Sequence, residues 1–397
     1  MSHGRGLLAL MSAVMIVTTG CTAGSMVRAD DPAAVSVTES VEAGPAPEIS
    51  VFPAADAKSV NPATRVAVDA WHGSLGEVSV TTADGQLLAG SIAADGLSWA
   101  AETELAYSST YTVVATASGA DGQETTTRSS FATVTPDALA FPAIGPLDGT
   151  TVGVGMPVRV YFDAPVTDRA TAQQHLTVTA TPAQEGAWSW FSDTEVHWRP
   201  KVYWQAGTEV TVTTSLFGVD LGGGTWGKLD REISFDVGPS HVSIANPDTH
   251  QMEVYADGVL VKTVPVSMGR AEGGWHTKSG PHVVLDKERK MTMDSTTYGL
   301  ALDAGGYQTE VEFATRISNN GEFVHAAPWS VEDQGVRNVS HGCINLSPAN
   351  AQWFFDFSQP GDVVDVVGTP VRLGRSDGDI YDWSLTWDQW LAGSALP

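Results

Sequence analysis

Short runs in which apolar and polar residues alternate dominate the chain from about residue 49 to residue 240. Alternation with a period of two is typical of β-strands that bury one face, and Asp-Gly pairs between such runs favour hairpin turns. Asp84-Gly85 and Asp121-Gly122 carry this turn signature. The pattern predicts strands at 65–68, 78–80, 111–114, 158–161, 175–178 and 210–212.

The two halves of this β-rich region resemble each other. Trp99 precedes Tyr111-Thr112-Val113 by the spacing at which Trp198 precedes Val210-Thr211-Val212, and the offset between the halves is 99 residues. A period of roughly 100 residues filled with short strands has the size of an immunoglobulin-like (Ig-like) sandwich. We predict two such domains, at 49–137 and 138–240, that act as spacers. Binding of a glycan or peptide is the alternative role for them.

A third domain is predicted from residue 241 to residue 370. Its strand-like segments form two hairpins and a closing strand: 252–261, 311–325 and 361–367. Between the second hairpin and the closing strand lies a well-marked helix. Ser347 can cap it, Pro348 suits its first position because the missing N–H would have no partner there, and Pro360-Gly361 ends it.

The remaining tail, residues 371–397, is rich in tryptophan. Trp383, Trp387 and Trp390 fall at i, i+4 and i+7, which places them on one face of a short helix. We expect this face to pack against the second Ig-like domain and to fix the orientation of the third domain.

The N-terminus has the features of an export signal. Arg5 is followed by an apolar run, 7–19, that is too short to cross a bilayer. Thr18-Thr19-Gly20-Cys21 then resembles a bacterial lipobox, in which the cysteine is lipidated. We therefore predict a signal peptide at 1–20, a lipid anchor at Cys21 on the outer side of the cell membrane, facing the cell wall, and a disordered tether at 21–48. A secreted protein with a spare cysteine is the alternative.

The chain is strongly acidic, with a formal net charge of −25 and a pI of about 4.5. Such a surface repels nucleic acid and anionic lipid headgroups. We therefore predict no nucleic-acid partner, and we expect any membrane attachment to depend on the lipid at Cys21.

Cys343 is the one cysteine outside the leader region. With Cys21 lipidated, it has no disulfide partner in a compartment where disulfides are stable. His341 is two residues away, and a helix is predicted to begin soon after. A helix N-terminus and an imidazolium both lower a thiol pKa, so the pattern favours a cysteine nucleophile. Structural histidines are the alternative. A zinc site would need a fourth ligand, so we predict neither metal nor cofactor.

The string Ser340-His341-Gly342-Cys343-Ile344-Asn345, with His325 lying 18 residues before the cysteine, resembles the signature of L,D-transpeptidases with a YkuD-type catalytic domain. The lipobox, the two Ig-like domains and the Trp-rich extension are similar to a multidomain member of that family. The resemblance implies a mainly β fold. It consists of two Ig-like β-sandwich domains followed by a β-rich YkuD-type domain, with a short helix after the catalytic cysteine.

The resemblance also implies a reaction. Cys343 would attack a peptidoglycan tetrapeptide stem at the bond between its third residue and D-Ala, giving a thioester and then 3→3 cross-links. His325 is similar to the general base, oriented by the backbone carbonyl of Ala326, and His341 would support the site. Stem peptides are the implied partners and carbapenems the implied covalent inhibitors. The implied oxyanion and substrate-contacting residues are Ser340, Gly342, Cys343, Asn345, Tyr307, Met293, Tyr298 and Trp329.

Other functions use the same residues. Water or a free amino acid as acceptor would make the protein a carboxypeptidase or exchange enzyme, and a protein acceptor would attach that protein to the wall. A silent wall-binding scaffold is a further alternative from a different class. Basic residues in the third domain could contact stem-peptide carboxylates, or could form a solvated loop face: Lys262, Arg270, Lys278, Lys287, Arg289 and Lys290.

Overall fold

The structure, a computed structural model, describes residues 44–377 and 380–397, and of Tyr298 only the backbone. The predicted signal peptide, Cys21 and nearly all of the predicted tether lie outside the described residues. No helix in the described part of the chain is both long and apolar enough to span a membrane.

The first domain is a sandwich of two sheets with the strand orders β1-β2-β5-β4 and β3-β6-β7. Alternating burial along β6 shows why the sequence pattern identified these strands, since every second side chain enters the core. The prediction at 65–68 is displaced, because the strand begins only at Ala67. The strands are β1 Glu48–Phe52, β2 Ala67–Trp71, β3 Ser74–Thr82, β4 Gly90–Ile92, β5 Ser98–Ala101, β6 Thr110–Ser118 and β7 Glu124–Ala132.

The second domain is another sandwich, with sheets β9-β11-β14-β13 and β10-β17-β15-β12 and a small parallel ribbon of β8 and β16. A short helix that the sequence pattern did not predict, α1, occupies Arg169–Gln174. It displaces the start of the strand predicted at 175–178 to Leu176. The strands are β8 Ala138–Ala140, β9 Pro142–Gly145, β10 Thr151–Val152, β11 Val158–Phe162, β12 Leu176–Thr181, β13 Gly186–Trp190, β14 Glu195–Pro200, β15 Glu209–Thr214, β16 Thr225–Gly227 and β17 Arg231–Val237.

The two sandwiches share one topology. The order β1-β2-β5-β4 of the first recurs as β9-β11-β14-β13 in the second, and β3-β6-β7 recurs as β12-β15-β17. Trp99 on β5 and Trp198 on β14 occupy corresponding places, and both are buried. The 99-residue offset between these tryptophans is therefore the offset between two copies of the same fold.

The third domain packs a five-stranded sheet, β20-β19-β18-β26-β21, against a four-stranded sheet, β22-β23-β24-β25. The predicted helix forms as α2, Pro348–Phe357, with the Ser347 side chain accepting the Asn350 N–H. The closing strand is shorter than the predicted segment 361–367. The strands are β18 His241–Asn246, β19 Gln251–Ala256, β20 Val259–Pro265, β21 Gly280–Val283, β22 Lys287–Asp294, β23 Gln308–Arg316, β24 Phe323–Ala326, β25 Ile344–Leu346 and β26 Val363–Val366.

In its described residues, 371–377 and 380–397, the tail contains two single-turn 3₁₀ helices, Arg375–Asp377 and Asp382–Ser384, and the short helix α3, Trp387–Leu391. The expectation of three tryptophans on one helix is therefore wrong in detail, because Trp383 lies on the preceding turn. The indole N–H of Trp390 donates to the carbonyl of Ala187 on β13 at 2.8 Å. That bond and the surrounding contacts attach the tail to the second sandwich.

The hydrophobic cores show which parts of the molecule are joined most firmly. The core of the second sandwich is continuous with Val283 and Val363 of the third domain and Ile380 of the tail. The first sandwich has a core of its own. A shared apolar core resists separation more than polar contacts do, so the second sandwich, the third domain and the tail are expected to move as one body.

Candidate active site

Cys343 directly precedes β25, and His325 lies on the adjacent strand β24, at one edge of the four-stranded sheet. Parallel pairing matches Val324 with Ile344 and His325 with Asn345. Residues directly opposite each other on neighbouring strands point to the same face of a sheet, so the side chains of His325 and Asn345 share one face, and Cys343 lies just before the start of β25. All three line the same cavity, which has a volume of about 230 Å³. The fold thus brings together residues 18 positions apart in the sequence.

The His325 ring is held in one orientation by a backbone bond. Its Nδ1–H donates to the carbonyl of Ala326 at 2.8 Å. A histidine that donates through Nδ1 keeps a lone pair on Nε2, which can accept a proton. Burial lowers the pKa of His325 to about 4, although the carbonyl partly opposes that change. At neutral pH the imidazole is therefore neutral and able to act as a base.

The Cys343 thiol is also buried, with 5% of the residue exposed. Its Sγ donates to the carbonyl of Gly321 at 3.5 Å. Burial raises the pKa of Cys343 to about 12; a bond from the Phe323 backbone opposes this, and the nearby Glu322 carboxylate adds to it. The resting pair is consequently a protonated thiol beside a neutral imidazole.

The expectation of a lowered thiol pKa is wrong for this resting state, for two reasons. First, strand β25 separates Cys343 from α2, which begins only at Pro348. A helix dipole acts within about one turn of the helix end, so it contributes little at Cys343. Second, the neighbouring His325 is neutral, so it supplies no positive charge to stabilise a thiolate.

His341 is fixed by a cation and two aromatic rings. An Nη2–H of Arg270 donates to His341 Nε2 at 2.8 Å. The rings of Trp275 and Tyr307 lie 5.3 Å and 5.2 Å from the imidazole, centroid to centroid. Burial and the Arg270 charge lower the pKa of His341, so this histidine is neutral as well. Its contacts are those of a residue that shapes the wall of the cavity.

Ser340 closes the loop that carries the cysteine. Its Oγ–H donates to the carbonyl of Cys343 at 2.6 Å, and its Oγ accepts the Gly342 N–H at 3.1 Å. The Gly342 N–H, predicted as an oxyanion donor, is therefore occupied in this structure. The other predicted oxyanion donors are the Cys343 N–H and Tyr307, both of residues that line the cavity. Gly342 adopts φ of +129°, a backbone conformation that glycine reaches readily.

Asn345 links the cavity floor to the loop that follows His325. Its Nδ2 donates to Ser330 Oγ at 3.1 Å, and its backbone exchanges two hydrogen bonds with Ser267. Trp329 is 58% exposed and stands at the rim, with its ring 6.1 Å from the His325 ring.

Most of the predicted site residues meet around two cavities. The first is lined by His325, Trp329, Ser340, His341, Cys343, Asn345, Met293 and Tyr307. Ala326 contributes the backbone carbonyl that accepts the Nδ1–H of His325. A second cavity, of about 700 Å³, lies across the wall formed by Tyr307 and His341, and Gly342 lines it. The Tyr298 side chain lies outside the described part of the structure, so its predicted role stays a prediction.

A buried carboxylate close to Cys343 and its histidine partner are not marked by any sequence motif. Glu322 directly precedes β24, and its Oε2 lies 3.1 Å from His282 Nε2. Its Oε1 accepts the backbone N–H of Lys278 at 2.7 Å. No local pattern marks this pair, because His282 is 40 residues away in the sequence and reaches Glu322 only through sheet packing.

The six basic residues suggested as carboxylate contacts all have partners within the protein. Of these, Lys278 lines the second cavity, and Arg270 reaches the cavity wall through His341. The partners are His341 for Arg270, Asp377 for Lys278, the Phe355 and Ser358 carbonyls for Lys287, Glu310 for Lys290, and the rings of Trp353 and Phe313 for Lys262 and Arg289.

Comparison with known proteins identifies the family. A family model described as the L,D-transpeptidase catalytic domain, YkuD, matches residues 240–366, and one described as a bacterial Ig domain matches 57–220. L,D-transpeptidase 2 of Mycobacterium tuberculosis is 38% identical over 389 residues, which are 97% of this chain and 94% of that protein. The chain belongs to the L,D-transpeptidase family. It is therefore an enzyme of the cysteine acyltransferase type, and its fold of Ig-like sandwiches followed by a YkuD domain is confirmed.

Other relatives agree with this assignment. L,D-transpeptidase 5 of Mycobacterium tuberculosis is 37% identical and covers 89% of this chain and 78% of its own length. The solved structure of the L,D-transpeptidase LdtMt1 in complex with imipenem is 35% identical. It superposes with a TM-score of 0.52 over 58% of this chain and all of its own.

Proposed function

We propose that this L,D-transpeptidase forms 3→3 cross-links in peptidoglycan through a thioester on Cys343. The observation that carries the proposal is the placement of Cys343 and His325 on one face of one cavity, with His325 Nδ1 anchored on the Ala326 carbonyl. This orientation leaves Nε2 to take the thiol proton, as a general base must.

The reaction then passes two protons through His325, one in acylation and one in the attack by the acceptor. As Cys343 Sγ attacks the stem carbonyl, Nε2 accepts the thiol proton. The bond to D-Ala breaks, the imidazolium returns the proton to the leaving amine, and a thioester remains. The amine of a second stem attacks that thioester, gives its proton to Nε2, and the thiol is restored when the proton moves back to sulfur. A base with a pKa of about 4 in the resting state is neutral at the start of each cycle.

The charge that develops on the carbonyl oxygen needs donors in a dry site. The Gly342 N–H donates to Ser340 Oγ in this structure, so the Cys343 N–H, on the nucleophile itself, is the better backbone candidate. Tyr307 lines the same cavity and is the side-chain candidate. His341 holds this wall in place through Arg270 rather than exchanging protons, because its Nε2 already accepts a hydrogen bond.

Acylation by a carbapenem tests the nucleophile and the base. A solved relative is described in complex with imipenem, so imipenem is a suitable donor mimic. Intact mass should show one adduct on wild type and none on Cys343→Ala. His325→Ala should slow acylation by about 10²-fold, the scale of lost general-base help. His341→Ala should slow acylation less than His325→Ala does. An adduct on folded Cys343→Ala, or normal rates in His325→Ala, would overturn the assignment.

Product analysis separates the proposed reaction from its rivals. With a tetrapeptide donor and a diaminopimelate-bearing acceptor, the expected product is a dimer joined between two third-position residues, with D-Ala released. Tripeptide and D-Ala alone would mean a carboxypeptidase, and replacement of D-Ala by a free amino acid an exchange enzyme. A stem joined to a protein amine would mean attachment of that protein to the wall.

The location of the enzyme is part of the proposal. The lipobox-like 18–21 supports a lipid on Cys21 that holds the enzyme on the outer side of the cell membrane. A random tether of ~25 residues would then reach about 25–30 Å from the membrane before the first sandwich begins. A fatty-acid probe should label wild type and Cys343→Ala but not Cys21→Ala. An unlabelled wild type would exclude the anchor.

A further inference from the structure

The carboxylate of Asp377, in the first turn of the tail, is buried and accepts hydrogen bonds from the third domain and from its own turn. Its residue is 4% exposed. Oδ1 accepts hydrogen bonds from Lys278 Nζ at 2.6 Å and from Asn320 Nδ2 at 2.7 Å, and Oδ2 accepts the Gly374 N–H at 2.8 Å. A charged acceptor with three short partners is a strong constraint on whatever it holds.

The backbone of Asp377 holds the same turn. Its carbonyl accepts the N–H groups of Asn319 and Asn320 at 3.0 Å and 3.2 Å. These bonds, together with the carboxylate bond to Asn320, connect the tail to the turn at residues 319–321 by three contacts. We call this set of contacts the tail clamp.

The turn held by the clamp ends at the nucleophile. Gly321 is the residue whose carbonyl accepts the Cys343 thiol at 3.5 Å. Its φ of +99° gives the carbonyl a direction that depends on the turn keeping its shape. Oε1 of the next residue, Glu322, accepts the backbone N–H of Lys278, whose Nζ donates to Asp377, so the clamp contacts the turn from both sides.

We propose that Asp377 is a positioning residue: by holding the turn at 319–321 it keeps the Gly321 carbonyl on the Cys343 thiol, which aims the sulfur into the cavity shared with His325. The idea rests on Cys343 as the proposed nucleophile. It gives the tail a role in the reaction besides packing. A series of contacts begins at Asp377 of the tail, runs through Asn320 and Gly321, and ends at Cys343.

The clamp can be separated from tail docking by mutation. Arg375, on the same turn of the tail, donates instead to the Phe191 carbonyl of the second sandwich at 2.8 Å. Arg375→Ala therefore weakens docking and leaves the clamp, which makes it the matched control. Asn320→Ala removes one clamp bond from the other side and is the second variant if Asp377→Ala folds poorly.

Two rates on the intact chain test the proposal. Iodoacetamide reports access to the thiol, and imipenem reports productive alignment with His325. Freeing the thiol should raise its alkylation rate about threefold or more, while misalignment by about 1 Å should lower imipenem acylation about 10-fold or more. Asp377→Ala and Asn320→Ala should show both changes, Asp377→Asn smaller ones, and Arg375→Ala neither.

The pH profile of alkylation gives a readout that packing alone would not move. The groups facing the thiol are Glu322, His325, His341 and the Gly321 carbonyl. Loss of the carbonyl acceptor removes a bond to the protonated thiol, so the profile of Asp377→Ala should move to lower pH. Unchanged rates in both clamp variants would overturn the proposal, and so would the same rise in alkylation and fall in acylation in Arg375→Ala. Because alkylation needs no stem peptide, this result is independent of whether 3→3 cross-links form.

Discussion

At the scale of single residues, the site keeps its reactive pair uncharged until substrate is bound. A buried thiolate and a buried imidazolium would each need compensation that the cavity lacks, since burial moves both pKa values toward the neutral forms. The Ala326 carbonyl fixes the tautomer without adding a charge. In the proposed reaction, proton transfer would therefore accompany attack on the carbonyl carbon, when the developing oxyanion and its donors supply the compensation.

The first prediction concerns the pH dependence of acylation. An imidazole with a pKa of about 4 stays neutral well below the ordinary histidine range, and protonation disables it only at the acid end. Imipenem acylation, followed by intact mass between pH 4 and pH 9, should stay near its neutral rate down to about pH 5 and fall below that. His341→Gln serves as the control and should keep the same acid limb. If the acylation rate instead falls with a midpoint near pH 6.5, His325 is not held neutral by burial.

A second prediction links the same residue to stability. Since the folded pKa of His325 lies below the unfolded value of about 6.5, the unfolded chain binds the extra proton first. The stability this histidine contributes is present above pH 6.5 and is lost as pH falls toward 4. Thermal unfolding of wild type should therefore decline more steeply over that interval than that of His325→Gln. Parallel declines would contradict the buried neutral state.

At the scale of elements, each sandwich is built around a tryptophan that lies on a glycine. An added Cβ at Gly90 would lie 2.1 Å from a ring carbon of Trp99, and one at Gly186 would lie 2.1 Å from the same ring carbon of Trp198. In both domains the glycine sits on the edge strand β4 or β13, beside the strand that carries the indole. Both copies of the repeat therefore contain the same packing arrangement, in which a buried tryptophan ring lies directly against the backbone of a glycine.

The third prediction follows from that pair. Gly90→Ala or Gly186→Ala should destabilise its own domain by about 1–3 kcal/mol, the usual cost of overpacking a core, because the ring is buried and must shift. Gly374→Ala, where an added Cβ meets nothing within 4 Å, is the matched control. Thermal unfolding followed by tryptophan fluorescence would measure the difference. If all three variants melt like wild type, the indoles tolerate a methyl group and the pair does not constrain the fold.

Sequence patterns predicted those elements that depend on local signals. Alternation located the sandwich strands, and Ser347 with Pro348 located α2, because caps and strand faces are fixed by neighbouring residues. The same patterns could not predict strand β25, which is three residues long and separates Cys343 from the helix. Nor could they predict Asp377 or His282, whose partners lie 57 and 40 residues away. The pKa values depend on burial, which is a property of the assembled fold.

At the scale of the whole molecule, the tail connects the second sandwich to the catalytic domain. The guanidinium of Arg199 lies 4.6, 5.3 and 4.7 Å from the ring centroids of Trp383, Trp387 and Trp390. It also donates to the Leu385 carbonyl at 3.0 Å. Burial lowers the pKa of Arg199 to about 10, so the group is still charged at neutral pH. One cation thus organises all three indoles of the tail.

The fourth prediction tests this cation. Arg199→Leu should destabilise the protein by about 2–4 kcal/mol, since it removes desolvated cation–π contacts and a charged hydrogen bond. Lys201→Leu is the control, because its ion pair with Glu185 is exposed and such pairs contribute about 0–1 kcal/mol. The thermal midpoint should fall for Arg199→Leu and hardly move for Lys201→Leu. Equal shifts would mean that the indoles pack without needing the charge.

The last prediction concerns how firmly the tail is held as pH changes. His197 on β14 is buried between Asp382 of the tail and Glu195, with 3.0 Å from each ring nitrogen to a carboxylate oxygen. Burial by itself disfavours the imidazolium, but the two carboxylates outweigh it and raise the pKa of His197. Because the folded pKa of His197 exceeds the unfolded one, the stability this contact supplies is complete below about pH 6.5 and is lost as pH rises through the raised value.

The thermal midpoint of unfolding, measured from pH 6 to pH 9, should fall with pH more steeply for wild type than for His197→Gln. His175→Gln, which changes a histidine of the same sandwich that does not bridge Glu195 and Asp382, should retain the wild-type slope. If His197→Gln also keeps that slope, the contact is held by packing, and the charge on His197 does not govern docking of the tail.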